Sequence, residues 1–274
     1  MLTVNIDKYY LVCETWDDIP LSVFLTLNEK VNSCPKWYKN ILLDIEDDVD
    51  INEMFAFQKD VIEILSSIPR SILDKCLFLD VFTIFDTYLK KFVISCLDEI
   101  AFEPKMITSF VNDDVHLFLP AFDTDISGKT IPLSHITALE LCEATDLHIA
   151  GEALPTGQFS YAANVVSILC RKEGERYDEA VSKERARKMK DMPMSFVLEV
   201  FWALTACHMY AKENYRNVYQ GNRGNGKISP MSDFGWNGKI LWLADGVENV
   251  EKVNEMNCYE FLRQLSFKIA KNEV

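Results

Sequence analysis

The sequence predicts a mainly α-helical protein of two lobes, with a short β element near the N-terminus and a second one near residues 115–119. Apolar residues recur at three- and four-residue steps through most of the chain, which is the period of a helix that buries one face. Proline and small polar residues stand where these patterns begin or end, as expected at helix termini. Hydrophobic residues make up 49% and charged residues 26% of the chain, a balance typical of folded globular proteins.

The predicted N-terminal helical lobe covers residues 1–105 and opens on a strand. That strand is indicated by four apolar side chains, those of Val4, Ile6, Tyr9 and Leu11. Residues 16–22 then have the composition of a turn, and a helix is predicted over residues 23–28.

Two longer helices are predicted in the rest of this lobe. The apolar spacing indicates a helix over residues 51–68, which Pro69 ends because proline cannot continue the backbone hydrogen bonds. Ser71 is the predicted N-cap of the next helix, which runs to about Val93. Because its apolar residues lie nearly all round the helix axis, we expect this helix to be buried in the core.

Residues 106–130 form the predicted connector, and residues 131–274 the C-terminal helical lobe. The connector is rich in turn-forming residues, and its alternation at Val115, Leu117 and Leu119 indicates a short strand. The lobe after it contains predicted helices at residues 134–147, 158–170, 178–190, 193–216, 234–244 and 258–270. Ser232 or Asp233 is the expected cap of the 234–244 helix, and Asn257 that of the last.

A short sequence is common to both halves of the chain. The tetrapeptide Ile-Pro-Leu-Ser stands at residues 19–22 and again at residues 131–134, each time ahead of an apolar helix. Two explanations remain open: a diverged duplication, and chance repetition of a sequence pattern that is common where a turn leads into a helix.

The charge distribution argues against nucleic acid as a partner. The net charge is −14, which repels phosphate backbones. The most basic stretch, residues 171–190, is interrupted by acidic residues, and its Glu179–Lys183 and Glu184–Lys188 spacings are typical of a solvated helix.

The cysteines and the hydropathy pattern favour a protein that stays within the cell and spans no membrane. No two of the eight cysteines stand two to four residues apart, so neither a zinc site nor a disulfide framework is indicated, and buried reduced thiols are expected. The first residues lack a signal-peptide pattern, and no apolar run reaches about 18 residues.

Known catalytic and cofactor motifs are not supported by their context. Residues 221–227 match the glycine and lysine spacing of a phosphate-binding loop, but Ile228 replaces the hydroxyl that magnesium needs, and Pro230 hinders a following helix. We therefore interpret this segment as a surface loop. The four histidines have no nucleophile elbow nearby, and Cys207 and His208, adjacent on one helix, point to different faces. We predict no catalytic residue, cofactor or metal.

Aromatic side chains are the remaining candidates for a functional role. They are abundant in the C-terminal lobe, where burial in the core is the ordinary interpretation, and any that prove exposed would mark a surface for a partner. The candidate partner-binding residues are Phe201, Trp202, Phe234, Trp236 and Trp242.

Several segments resemble a group of tailed-bacteriophage proteins described as tail or baseplate-hub assembly chaperones. The resemblance rests on residues 154–159 (LPTGQF), 171–179 (RKEGERYDE), 192–194 (MPM) and 234–244 (FGWNGKILWLA), followed by an acidic turn and a closing helix. It covers about residues 150–270, with a weaker echo at residues 16–25 and 61–85. Family members are often shorter, and the N-terminal lobe and the 221–227 insertion depart from their pattern.

This resemblance implies a non-enzymatic protein of virion morphogenesis. Its expected partners are phage tail or neck proteins, its expected location is the host cell cytoplasm, and a homo-oligomer is a further option. One alternative is a structural subunit of the virion, such as a neck or tail ring. A second is an enzyme whose site is assembled from dispersed acidic residues and histidines.

Overall fold

The computed structural model of the protein describes residues 2–6, 8–13, 15–34, 50–97, 109–112, 115–118, 123–124, 128–154, 157–172, 174–189, 191–219 and 234–272. Over these ranges the chain is mainly helical, which confirms the predicted fold class. The 221–227 loop and the two expected caps Ser232 and Asp233 lie outside the described residues.

The strands of the described ranges form antiparallel pairs. These are β1 (Leu2–Ile6) with β2 (Lys8–Val12), β3 (Ser109–Asn112) with β4 (Val115–Phe118), and β5 (Asp123–Thr124) with β6 (Thr130–Ile131). The opening hairpin and β4 confirm both predicted β elements. The hairpin is joined to the helices by Cys13, whose amide donates to the Leu65 carbonyl at 3.0 Å.

The helices of the first half follow in chain order. They are α1 (Leu21–Asn32), α2 (Ile51–Leu65), α3 (Arg70–Leu73), α4 (Phe78–Ile84), a π-helical turn (Phe85–Leu89) and α5 (Lys90–Leu97). Helix α2 begins where Asp50 accepts hydrogen bonds from the amides of Asn52 and Glu53, at 2.9 and 3.2 Å. This capping satisfies amides that the first helical turn leaves without partners.

The prediction of one long core helix capped by Ser71 is wrong. Ser71 lies inside α3, whose N-cap is Pro69, and the chain leaves the helical conformation after Leu73 and resumes it at Phe78. The side chains of this segment are apolar on all sides of the helix axis. Because the helix breaks and one side faces outward, some of these side chains are exposed to solvent. Leu77 is 73% exposed, whereas Leu73 is fully buried.

The helices of the second half lie close to their predicted positions. They are α6 (Ala138–Glu152), α7 (Ala162–Leu169), α8 (Glu179–Arg187), α9 (Met194–Asn214), α10 (Arg216–Tyr219), α11 (Gly235–Ala244), α12 (Val250–Asn254) and α13 (Cys258–Asn272). Asn257 caps α13 as predicted, because its side-chain oxygen accepts from the Tyr259 amide at 3.0 Å. On α8, the predicted Glu179–Lys183 and Glu184–Lys188 ion pairs are both present.

A fully buried carboxylate fixes the start of α6. Glu140 accepts hydrogen bonds from the amide and the hydroxyl of Thr137, both at 2.8 Å, and pairs with Arg171 at 2.9 Å. Burial raises the pKa of Glu140, while Arg171 and Thr137 oppose that rise. Arg171 therefore pairs with a buried carboxylate and does not contribute a free charge to a basic surface.

Both halves contribute to one contiguous core. The buried apolar residues form a single cluster that extends from Val12 to Leu265. At its centre the turns before α1 and α9 pair through their backbones: Leu21 donates to Met192 and Met194 donates to Ile19, each at 2.8 Å. The division into lobes around residues 106–130 stays a prediction.

Helix α9 is the helix of the described ranges that is long and apolar enough to cross a membrane by length and composition. Of its most apolar window, 67% is buried inside the protein. Phe196, Val200 and Leu204 are at most 1% exposed, so α9 serves as the central helix of the core.

The described cysteines are free thiols. Six are buried and Cys76 is partly exposed, while the side chain of Cys96 lies outside the described residues. Within the described part of the chain, no three His, Cys, Asp or Glu side chains are grouped so that they could hold a metal ion.

Candidate partner-binding surface

The structure separates the five candidate aromatic residues. Phe201 of α9 and Trp236 of α11 are 5% and 8% exposed and belong to the core. Trp202 and Phe234 are 52% and 60% exposed, and Trp242 is partly buried. Adjacent positions on a helix point in different directions, so Phe201 faces inward and Trp202 outward. A role in partner binding stays a prediction for the residues that solvent reaches.

Trp236 packs in a polar and aromatic cluster between α6, α9, α10 and α11. Its ring lies 5.2 Å from that of His208 and 5.4 Å from that of Tyr219. His208 Nε2 is 2.9 Å from the Thr145 hydroxyl, and His208 Nδ1 is 2.9 Å from the Tyr219 hydroxyl. We call these residues, Thr145, His208, Tyr219 and Trp236, the His208 cluster.

The direction of these hydrogen bonds follows from the Thr145 hydroxyl. Its single proton is donated to the Leu141 carbonyl at 2.6 Å, so its oxygen must accept from His208 Nε2–H. His208 is thus protonated on Nε2, and in the neutral ring, which the lowered pKa of His208 favours, Nδ1 accepts from the Tyr219 hydroxyl. The Thr145, His208 and Tyr219 side chains are therefore joined by continuous hydrogen bonds.

Electrostatics keeps His208 in this neutral form. Burial, with the nearby positive charges of His148 and Lys239, lowers the pKa of His208 from 6.5 to about 4. Lys239 lies one helical turn after Trp236, with its Nζ 3.2 Å from the Trp236 ring centroid. Burial lowers its pKa to about 8, although Cys142 and Asp146 oppose the shift.

Asp146 of α6 places α11 on this cluster. Its carboxylate accepts from the Trp236 amide at 2.7 Å, from the Asn237 amide at 3.1 Å and from the Asn237 side chain at 2.9 Å. A side chain distant in sequence therefore caps α11. Gly235 has φ +59°, and a Cβ atom there would lie 2.5 Å from Asp146 Oδ1, so this junction requires glycine.

The opposite side of α11 borders a groove. This groove, of about 550 Å³, lies between α11 and α13. Its lining residues are Leu243, Arg263, Gln264, Phe267, Lys268 and Lys271. Phe267 is 63% exposed, which makes it a large apolar side chain that is mostly open to solvent. Trp242 adjoins the groove, because Lys268 Nζ lies 5.0 Å from its ring and donates to its carbonyl.

The groove is lined by cations although the chain as a whole is acidic. Three of its lining residues are Arg or Lys and none is Asp or Glu. Arg263 pairs with Glu260 outside the groove at 2.7 Å, whereas Lys271 lies over the Phe267 ring at 4.7 Å. An apolar centre beside positive side chains suits a ligand that is both apolar and acidic.

Sequence reasoning missed Phe267, although the sequence contains a signal for it. The buried residues Cys258, Phe261, Leu262 and Leu265 form one stripe of α13. At about 100° per residue, Phe267 falls on the opposite side of the helix, where lysines surround it. An aromatic residue out of register with the apolar stripe is the pattern that would have found it.

A second cleft, of about 400 Å³, lies beside α6, α7 and α8 and has carboxylates in its wall. Glu143 accepts from the Tyr177 hydroxyl, Asp146 caps α11, and Glu179 pairs with Lys183. Burial raises the pKa of Glu143, and the Tyr177 hydrogen bond opposes this. These carboxylates already have partners within the chain, so they serve its own packing.

The first half has an exposed aromatic surface of its own. The rings of Phe55, Phe78 and Phe82 are in contact, with centroid separations of 5.4 and 6.0 Å, and Leu77 and Leu79 are more than two-thirds exposed. This surface surrounds the start of α4, the segment that was wrongly predicted to be buried. Its cation is Lys59, whose Nζ lies 4.3 Å from the Phe55 ring and pairs with Asp74 at 3.2 Å.

The groove is therefore the described surface whose shape and charge best specify a ligand. Comparison with protein-family models, with curated proteins and with solved structures gives no match for this chain.

Proposed function

We propose that this chain is a non-enzymatic binding protein whose groove between α11 and α13 takes an acidic amphipathic helix of a partner protein. The observation that carries the proposal is the exposed Phe267 side chain among three cationic residues, on a chain of net charge −14. A partner helix would set an apolar side chain against Phe267 and Leu243, and its carboxylates beside Lys268 and Lys271.

The His208 cluster supports a binding role over a catalytic one. Its histidine is held neutral, its hydrogen bonds are closed within the protein, and neither described cleft is lined by His208. Catalysis by a histidine needs a proton acceptor or donor within reach of a substrate. The second half instead combines a rigid helical support with an exposed apolar and basic wall.

The phage resemblance gives this proposal a biological setting. A tail assembly chaperone has to hold a helix of a tail component until assembly, and a groove for an amphipathic helix suits that task. The partner would then be a tail or neck protein, bound in the host cytoplasm. In the structural alternative the protein is a subunit of a neck or tail ring. It would then be present in the finished particle, whereas a chaperone would be absent from it.

Binding to designed peptides tests the groove. Two helical peptides with the same apolar face, one with Glu and one with Lys on the polar face, would be titrated against the full chain by calorimetry. We expect the acidic peptide to bind, Phe267→Ala and Lys271→Glu to weaken binding about tenfold or more, and added salt to weaken it further. Lys75→Glu, at an exposed lysine in the first half, is the matched control. Equal binding of both peptides would contradict the proposal.

Quantitative mass spectrometry of purified virions tests the biological role. A chaperone should be abundant in infected cells and missing from particles, whereas a ring subunit should be present at a fixed symmetric copy number. The second result would replace the chaperone role by the structural one.

A further inference from the structure

Helix α4 of the first half presents a surface that is both apolar and acidic. Its Val81 and Ile84 side chains are buried in the core, whereas the opposite side of the helix is open to solvent. Residues 78–89 include aspartates and contain neither lysine nor arginine. The exposed side chains, which we call the α4 face, are Leu77, Phe78, Leu79, Asp80, Phe82 and Asp86. Exposed apolar surface of this extent marks a site of interaction.

The aspartates of the α4 face have only weak partners within the chain. Asp80 accepts a hydrogen bond from the Leu77 amide at 3.3 Å, and Asp86 pairs with Lys90 at 3.4 Å, one helical turn further on. Ion pairs between exposed side chains at this spacing contribute little, because water and salt screen them. Asp86 can therefore exchange Lys90 for a cation of another molecule.

The groove between α11 and α13 has the complementary character. Leu243 and Phe267 give it an apolar centre, and its other lining residues include three cations and no carboxylate. Lys271 lies over the Phe267 ring at 4.7 Å, which places a positive charge beside the exposed apolar side chain. A helix face that is apolar and acidic matches this groove in both respects.

The groove and the α4 face are both exposed on the same copy of the chain, so neither covers the other. They also belong to different parts of the fold. Helix α4 packs against α2 in the first half, whereas α11 and α13 pack against α6 in the second. A second copy can bring its α4 face to the groove without any rearrangement of either chain.

We propose that the groove of one copy binds the α4 face of a second copy, so that the chain assembles head to tail. Leu79 and Phe82 then pack against Phe267, and Asp86 lies beside Lys271. Because the two surfaces differ, each pair of copies keeps a free groove at one end and a free α4 face at the other. Such an interface gives a ring if the rotation between copies closes, and an open chain if it does not.

This inference rests on the proposed function, since it uses the same groove as a helix-binding site. It adds the protein itself as an occupant of that groove. A partner helix and a second copy would compete for one site, so binding of the partner would release the assembled copies. The groove and the single helix face that meets it form a small interface, and micromolar association is expected.

The dependence of molecular mass on concentration tests the assembly. The full chain would be studied by analytical ultracentrifugation from low to high micromolar concentration, at low and at high salt. We expect species larger than a dimer to appear as the concentration rises and to recede as salt screens the charge pairs. A monomer at every concentration, a mass that stops at the dimer, or association that salt leaves unchanged would overturn the proposal.

Variants that each lose one surface test the head-to-tail arrangement. Leu79→Glu alters the α4 face and Lys271→Glu alters the groove, and each should weaken self-association about tenfold or more. A mixture of the two should form a one-to-one heterodimer and nothing larger, because one intact α4 face and one intact groove remain. Val181→Glu, at an exposed apolar side chain of α8, is the matched control and should assemble as the wild type does.

A mixture of Leu79→Glu and Lys271→Glu that stays monomeric, under conditions in which the wild type associates, would overturn the head-to-tail interface. Both changes are at exposed positions, and circular dichroism would establish that each variant is folded. The result for the wild type stands even if a variant fails to fold.

Peptide binding by Leu79→Glu separates this inference from the groove proposal. The groove of that variant is intact, so it should bind the acidic peptide at least as tightly as the wild type, because no second copy competes. If the peptide binds but the wild type never associates, the groove proposal stands and the self-assembly fails. If the peptide does not bind either, both proposals fail.

Discussion

The two sides of α11 show how neighbouring aromatic residues come to have different roles. On one side, Trp236 is buried against His208 and Tyr219, and both ring nitrogens of His208 have hydrogen-bond partners within the chain. On the other side, the groove leaves Phe267 exposed beside Lys271, while Lys268 pairs with Asp245 at 3.9 Å. Satisfied polar groups stabilise a fold, whereas exposed apolar surface beside cationic side chains remains available to a ligand.

The largest expected effect that distinguishes the two sides is on stability at Trp236. Trp236→Ala should lower the free energy of unfolding by about 4 kcal/mol, because it empties a packed site and removes the ring that covers His208. Urea unfolding followed by circular dichroism measures this. A loss below about 1 kcal/mol would mean that the cluster does not support the fold.

The next largest effect is a pH dependence of the free energy of unfolding, which arises from the buried side of α11 that contains His208. The pKa of His208 is about 4 in the folded chain and about 6.5 when unfolded, so the unfolded chain binds the extra proton between these values. The contribution of His208 to the free energy of unfolding is therefore complete above pH 6.5. It falls by roughly 3 kcal/mol as the pH drops to 4.

The change with pH is isolated by comparison with His208→Gln. Glutamine keeps one donor and one acceptor but has no proton to gain, so its unfolding free energy should fall less between pH 6.5 and 4. His135→Gln, at an exposed histidine, is the control and should follow the wild type. Parallel pH curves for wild type and His208→Gln would refute the assignment of a neutral His208.

A smaller effect is expected at the junction that positions α11. Asp146→Ala removes the acceptor of three hydrogen bonds, and we expect it to cost about 2 kcal/mol of stability, the upper range for the loss of a helix cap. Thermal unfolding measures this change. Asp146→Asn keeps one oxygen acceptor and should cost less, and an equal cost for both variants would contradict the capping role.

The smallest effect on stability is expected on the groove side. Phe267→Ala should change the unfolding free energy by less than about 0.5 kcal/mol, because its side chain is mostly in solvent, while it weakens peptide binding. The contrast with Trp236→Ala makes the comparison quantitative. A large destabilisation by Phe267→Ala would show that this ring packs within the fold and would remove it from the proposed binding surface.

Local patterns predicted most of the helices because the determinants of a helix lie close together in sequence. Asn257 caps α13 and the apolar stripe of that helix is buried, both as its residues indicate. The long helix after Ser71 was predicted wrongly for the same reason. Apolar side chains all round a segment indicate burial only if other elements surround it, and at Leu77 none of the described residues does.

The candidate site was predictable only in part. The sequence drew attention to the aromatic residues of α9 and α11, and Trp202 and Phe234 are exposed as a binding role requires. It could not separate them from Phe201 and Trp236, because the direction of a side chain depends on which helix face meets the core. Phe267 was recognisable from its position off the stripe of α13, yet its groove depends on how α11 packs beside it.

The sequence by itself determined the helical class, the places where most helices begin and end, and the acidic balance of the chain. These properties depend on periodicity, capping and composition, which act over a few residues at a time. Only the tertiary structure decided that Asp146 caps α11, that His208 meets Thr145 and Tyr219, and that the Tyr259 hydroxyl lies against Cys207. Such contacts join residues far apart in the chain, and packing of the whole core selects them.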